Sequence, residues 1–87
     1  MNNAISEALE SLYSLHREYD DFASKAPLHY DAKTEAEIDK FDTAFDELEE
    51  QVFALAQMIK DEDEAYVVLS LMHQWYRIPQ YLERHAA

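Results

Sequence analysis

Apolar side chains recur at Ile38, Phe41, Phe45, Leu48, Val52, Leu55 and Ile59, at steps that alternate between three and four. That rhythm keeps one stripe of a helix facing one way. It predicts a helix over 35–60, about 39 Å long, with a coiled-coil-like seam. Thr34 followed by Glu37 reads as a capping box that places the start at about residue 35, and Lys60 suits the negative end of the helix dipole. Upstream, Ile5, Leu9, Leu12, His16, Tyr19 and Ala23 alternate steps of four and three, and Ala8, Leu15 and Phe22 widen the same face. This predicts an amphipathic helix over 3–24 with Asn3 as its N-cap. Pro27 ends it, since the residue before proline avoids the helical region. The stretch from Pro27 to Asp31 is then a loop, with Leu28 and Tyr30 folded back onto the core.

Asp61-Glu62-Asp63-Glu64 interrupts the chain, and Asp61 or Asp63 can cap a third helix over 63–78. Val68, Met72 and Trp75 mark one apolar stripe of that helix, and Val67, Leu71 and Ile78 a second. The valines would also suit a strand over 65–72, but a lone strand would have no partner, so the helix is preferred. Pro79 opens a short final turn over 79–84. The expected architecture is a single all-α domain over 1–87. It is a small three-helix bundle, or a long antiparallel helical hairpin with a third helix packed across it.

Composition narrows the chemistry. The 87 residues contain no cysteine and no glycine. Thiolate metal sites and disulfides are excluded, and a domain this small leans on idealised helix packing, a partner or self-association. An ordinary domain is about 7% glycine. Without it, phosphate-cradling loops cannot form, which removes nucleotide-binding folds built on them. The start of the chain lacks the pattern of a signal peptide, and no stretch is long enough to span a bilayer, so a cytoplasmic protein is expected.

The formal net charge is −12. It argues against direct binding to nucleic acid or an anionic membrane and favours basic partners. Residues 31–64 hold thirteen acids and three lysines, a net of −10, and the remainder nets −2. Glu35, Asp39, Asp42, Asp46 and Glu49 fall at steps of four, three, four and three, and Glu47 and Glu50 extend the field sideways. Such a row sets a carboxylate about every 5 Å along the helix, close enough to phosphate spacing to imitate a nucleic-acid backbone. A plain solvated face would also be acidic. However, the dipole preference for acids fades after the first turn, whereas this row runs for four turns with Lys40 nearly alone against it.

Surplus apolar surface is the second feature. Residues 51–59 carry no charge, and Phe53 and Met58 lie off the seam. Such side chains are either wrapped by the helices or left for a partner. Tyr30, Phe53, Trp75 and Tyr76 are the candidate anchors on a partner. The histidines show no metal-ligand spacing, and His16 with Asp20 at i+4 reads as a structural pair.

Glu47-Leu48-Glu49-Glu50 followed by Asp61-Glu62-Asp63-Glu64 loosely resembles the paired acidic motifs of the all-α nucleoside-triphosphate pyrophosphohydrolases of the MazG type. That resemblance implies carboxylates on facing helices holding magnesium over a triphosphate. The chain departs from the family pattern because its second cluster lies on the link between helices.

The leading expectation is a non-enzymatic inhibitor with no cofactor, metal or catalytic residue. It would occupy a basic surface of a partner such as a nuclease or nucleic-acid-binding complex, in the manner of antitoxins, immunity proteins and phage anti-defence (anti-CRISPR-like) proteins. The pyrophosphohydrolase and a structural homo-oligomer, such as a dimer built on the seam, are the alternatives.

Overall fold

The computed structural model describes residues 3–25 and 31–77, which form a bundle of three α-helices: α1 (Asn3–Lys25), α2 (Ala32–Ala56) and α3 (Glu62–Trp75). No strand occurs among the described residues, so the 65–72 segment is helical as preferred. The loop residues Leu28 and Tyr30, Ile78 and the turn over 79–84 lie outside the described residues.

Helix ends are where the sequence reading needs correction. The cap of α2 is Asp31, not Thr34. Asp31 has extended backbone, with φ −125° and ψ 176°, and its Oδ1 accepts the Thr34 backbone N–H at 2.8 Å. Aspartate is the better cap, and Thr34 is buried, so the helix begins three residues earlier than the capping box implied. The hydrogen bond from the Thr34 backbone, helped by the Thr34 side chain, holds the Asp31 carboxyl below the usual carboxylate range.

At the other end α2 stops at Ala56 rather than residue 60. Met58 N–H donates to Leu55 C=O and Ile59 N–H to Ala56 C=O, both at 3.1 Å, a tightening to i→i−3 bonds. The usual left-handed cap needs glycine, and the chain has none. Gln57 accordingly stays right-handed at φ −66°, and Lys60 falls outside the helix. Asp61 caps α3, accepting from the N–H groups of Asp63 and Glu64 at 2.9 and 3.4 Å. That helix ends at Trp75, where the Tyr76 N–H closes the last turn on Met72 C=O at 2.8 Å.

The seam is buried in one row more than the other. Ile38, Phe45 and Val52, spaced by seven, are at most 1% exposed, whereas Phe41, Leu48 and Leu55 are half-buried, as is Ile59 past the end of the helix. Ile5, Ala8 and Leu9 of α1 pack with Val52 and Ala56 of α2 and Val68 of α3. Leu12, Tyr19 and Phe45 form a second cluster farther along. The pairing of Ile5 with Val52 and Tyr19 with Phe41 makes α1 and α2 antiparallel. The molecule measures 47 × 18 × 17 Å, and its radius of gyration of 14.6 Å exceeds the ~12 Å of a compact chain this long. An elongated rod has room for a thin core only, which is why the core divides in two.

Candidate interaction surface

The acidic row occupies the edge of α2 that faces α3, opposite the edge where Leu48 meets α1. Glu35, Asp39, Asp46, Glu47 and Glu50 are exposed, and Asp42 and Glu49 are half-buried. The helix period puts Glu35, Asp39, Asp42, Asp46, Glu49 and Glu50 on this edge. Glu47 is turned toward the outer face, where it lines a shallow depression of about 400 Å³ with Asp39, Lys40 and Thr43.

One side chain from beyond α3 reaches this edge. The Tyr76 hydroxyl donates to Asp46 Oδ1 at 2.8 Å. Burial raises the Tyr76 phenol pKa above its ordinary value. The bond to Asp46 and the charges of Asp46, Glu49 and Asp42 push the same way, because a phenolate there would face three carboxylates. Asp46 is therefore partly occupied inside the molecule. Among the described residues, no basic side chain pairs with Glu35, Asp39, Glu47 or Glu50. An ion pair within α2, Lys40 Nζ to Glu37 Oε1 at 3.4 Å, lies off this edge.

The apolar candidates divide. Tyr30 lies outside the described residues. Trp75 is half-buried against both core clusters, with its ring 5.1 Å from Tyr13. Tyr76 sets its ring edge-on to Phe45 at 6.0 Å. Both put most of their surface into the bundle. Phe53 is 49% exposed and has surface to spare.

Two exposed side chains escaped the sequence reading, Tyr66 at 73% and Tyr13 at 41%, and Val67, read as part of an apolar stripe, is 48% exposed. Tyr66 stands with Ser70 and His73 at spacings of four and three, a third face of α3 that two apolar stripes had left unassigned. Together with Phe53, Leu69 and Met72 these residues line a groove of about 470 Å³ between α2 and α3. On the far side, Glu7, Glu10 and Glu18 of α1 border a groove of about 530 Å³ whose floor includes Leu15, Ala44 and Leu48. The modest net charge of α1 concealed that three of its acids share one face.

His16 does pair with Asp20, Nε2 to Oδ2 at 3.2 Å, while its Nδ1 is buried without a partner among the described residues. Arg77 Nε lies 3.8 Å from the same carboxylate, joining the end of α3 to α1. Burial, aided by the nearby Asp20 charge, raises the Tyr19 phenol pKa.

The two acidic clusters of the pyrophosphohydrolase resemblance do not converge. Glu50 lies six residues, about 9 Å, before the end of α2, and Asp61 beyond it is engaged as a cap. Among the described residues no group of three or more histidine, aspartate or glutamate side chains is placed to hold a metal ion. Nor is any described helix long and apolar enough to cross a membrane. Comparison of the chain with protein families, curated proteins and solved structures finds no significant match.

Proposed function

We propose that the protein is a non-enzymatic inhibitor whose acidic α2 edge occupies a basic, nucleic-acid-binding surface of a partner protein in the cytoplasm. The observation that carries this reading is the set of acids in that row without a basic partner among the described residues. Glu35, Asp39 and Glu50 point into solvent along one edge, and no described basic side chain answers them. Like charges this close repel and cost stability, a cost that binding to a basic surface would reverse. Steering by such a row acts mainly on the rate of encounter.

Proteins retained from native lysate at ~50 mM salt and released by ~300 mM salt supply the partner for kinetic measurement. The expected partner is a basic nuclease or nucleic-acid-binding complex that loses its nucleic acid as this chain binds. Asp39→Lys with Glu50→Lys is the informative variant, because neither residue is engaged elsewhere in the bundle, whereas Asp46 holds Tyr76. Association should slow by about tenfold or more at low salt with little change in dissociation. An association rate indifferent to both salt and charge reversal would end this reading.

A further inference from the structure

The α2–α3 groove and the acidic edge are parts of one surface. Phe53 follows Glu49 and Glu50 by four and three residues, so they occupy the same edge of α2 one turn apart. Across the groove Tyr66 follows Glu62 and Asp63 by the same spacings, and both acids are exposed. The groove therefore has an apolar middle, floored by Leu69 and Met72 and walled by Phe53 and Tyr66, with carboxylates beyond each end. Among the described residues no lysine or arginine lines it, and His73 is the ionisable base there. Along the chain the flanking cations are Lys60, six residues before Tyr66, and Arg77, four residues after His73 and beside Asp20 of α1.

Exposed apolar surface of this kind calls for a cover. A second copy would bring another −12 charge and another pair of acidic ends to the same place, which opposes pairing. The complementary occupant has apolar anchors at its centre and positive charge on both flanks. From Tyr66 to His73 the groove runs about 10 Å, or two helical turns.

We propose that the α2–α3 groove binds a basic amphipathic helix of a partner protein, with aliphatic anchors one turn apart between Phe53 and Tyr66 and flanking lysines or arginines on Glu49–Glu50 and Glu62–Asp63. This deepens, and rests on, the reading of the protein as a binder of basic surfaces. It assigns affinity to the groove and encounter to the acidic edge.

Three labelled synthetic peptides of one length test it by anisotropy against the full chain. One has central leucines at i and i+4 with flanking lysines, one is a scramble of the same composition, and one replaces lysine by glutamine. The ordered basic peptide should bind about tenfold tighter than the scramble. Phe53→Ser with Tyr66→Ser should erase that advantage while the helical circular dichroism and most of the melting point hold, since Tyr66 is largely and Phe53 about half exposed. Glu49→Gln with Glu50→Gln should flatten the salt dependence. Equal binding of ordered and scrambled peptides overturns the groove proposal and leaves the basic-partner reading standing. Equal binding of the lysine and glutamine peptides overturns the charge complementarity here and in that reading. Failure of both basic peptides to bind at low salt overturns both, as does occupancy of the groove by a second copy in sedimentation, with the peptide unable to displace it.

Discussion

The two halves of the rod are built from different side chains. Where α1 begins and α2 ends, all three helices meet, and the core is aliphatic: Ile5, Ala8, Leu9, Val52, Ala56 and Val68. Toward the other end the core turns aromatic, with Tyr19 and Phe45 joined by Phe22, Phe41 and Tyr76. The reason lies in the lengths of the helices. With 14 residues against 25, α3 runs out while α2 continues. Three helices can enclose small side chains on every side. Two helices leave flanks open, and rings that each bury about 150–250 Å² close them better than branched aliphatics. Tyr19 accordingly meets Phe41 and Phe45 edge-on at 5.3 and 5.8 Å. The same shortfall leaves the N-terminal half of the α2 edge without α3 beside it, so Glu35 and Asp39 stand in water. Aromatic packing and acidic exposure at this end share one cause.

The sharpest way to break the comparison is to remove one ring. Phe45→Ala should destabilise by about 3–5 kcal/mol, a large share of the stability of a domain this small, because the side chain is fully buried beneath Tyr19 and Tyr76. At the aliphatic end Ile5→Val, which deletes one methyl group, should cost only about 0.5–1.5 kcal/mol. Thermal or urea unfolding followed by circular dichroism measures both. If the two changes cost the same, the rings are not carrying the two-helix end. Amide exchange extends the test: after Phe45→Ala, protection should fall first in residues 36–44 and remain around Val52 and Val68.

Which parts of this were legible in the chain follows from what sequence periodicity can encode. The seam from Ile38 to Ile59 specified a helix and its inner face, and all seven positions are buried or half-buried. Periodicity carries no information on which of two adjacent rows lies deeper, because that depends on where α3 crosses. Helix ends were misread for a local reason. Asp31 and Thr34 are both competent caps three residues apart, and the choice turned on Thr34 being needed in the interior. The end of α2 was misread because a glycine-free chain offers no stop signal, and three turns of apolar residues read straight through the i→i−3 closure at residues 55–59. The acidic residues of α2 share an edge because their spacing follows the helix period, with Glu47 turned outward. That Tyr76 would cross to Asp46, and that Phe53 would share a groove with Tyr66, required the register of α2 against α3, which neither helix contains alone.

The Asp31 cap gives the next smaller effect. Asp31→Ala removes the acceptor for the Thr34 N–H and should lower the melting point by about 5 °C, with the helical signal lost first at the aromatic end. Asp31→Asn should recover most of this, since asparagine caps equally well. The pH dependence has a definite sign. The Asp31 pKa is lower in the folded chain than in the unfolded one, so its contribution is complete above the ordinary carboxylate pKa and is lost as pH falls through the lower folded value. Acid titration of wild type should therefore show a stability loss below about pH 4 that is smaller in Asp31→Asn. An identical acid limb in the two proteins would remove the cap from the account.

The smallest effect probes the contact of Tyr76 with the acidic edge. Tyr76→Phe keeps the ring on Phe45 and deletes the hydroxyl bonded to Asp46, so stability should fall by about 1 kcal/mol or less at neutral pH. Its alkaline behaviour discriminates better than its size. The folded pKa of Tyr76 is raised, so folding favours the protonated phenol. That contribution is whole below the unfolded tyrosine value near 10 and drains away as pH rises toward the folded value. Wild type should thus lose stability between about pH 10 and 11 faster than Tyr76→Phe, with phenolate absorbance appearing as helix is lost. Tyr19, whose phenol is also raised, contributes equally to both proteins and cancels in the difference. Parallel alkaline limbs would mean that Tyr76 does not sit over Asp46 in solution. Asp46 would then join Asp39 and Glu50 as a site where charge reversal reports on partner encounter.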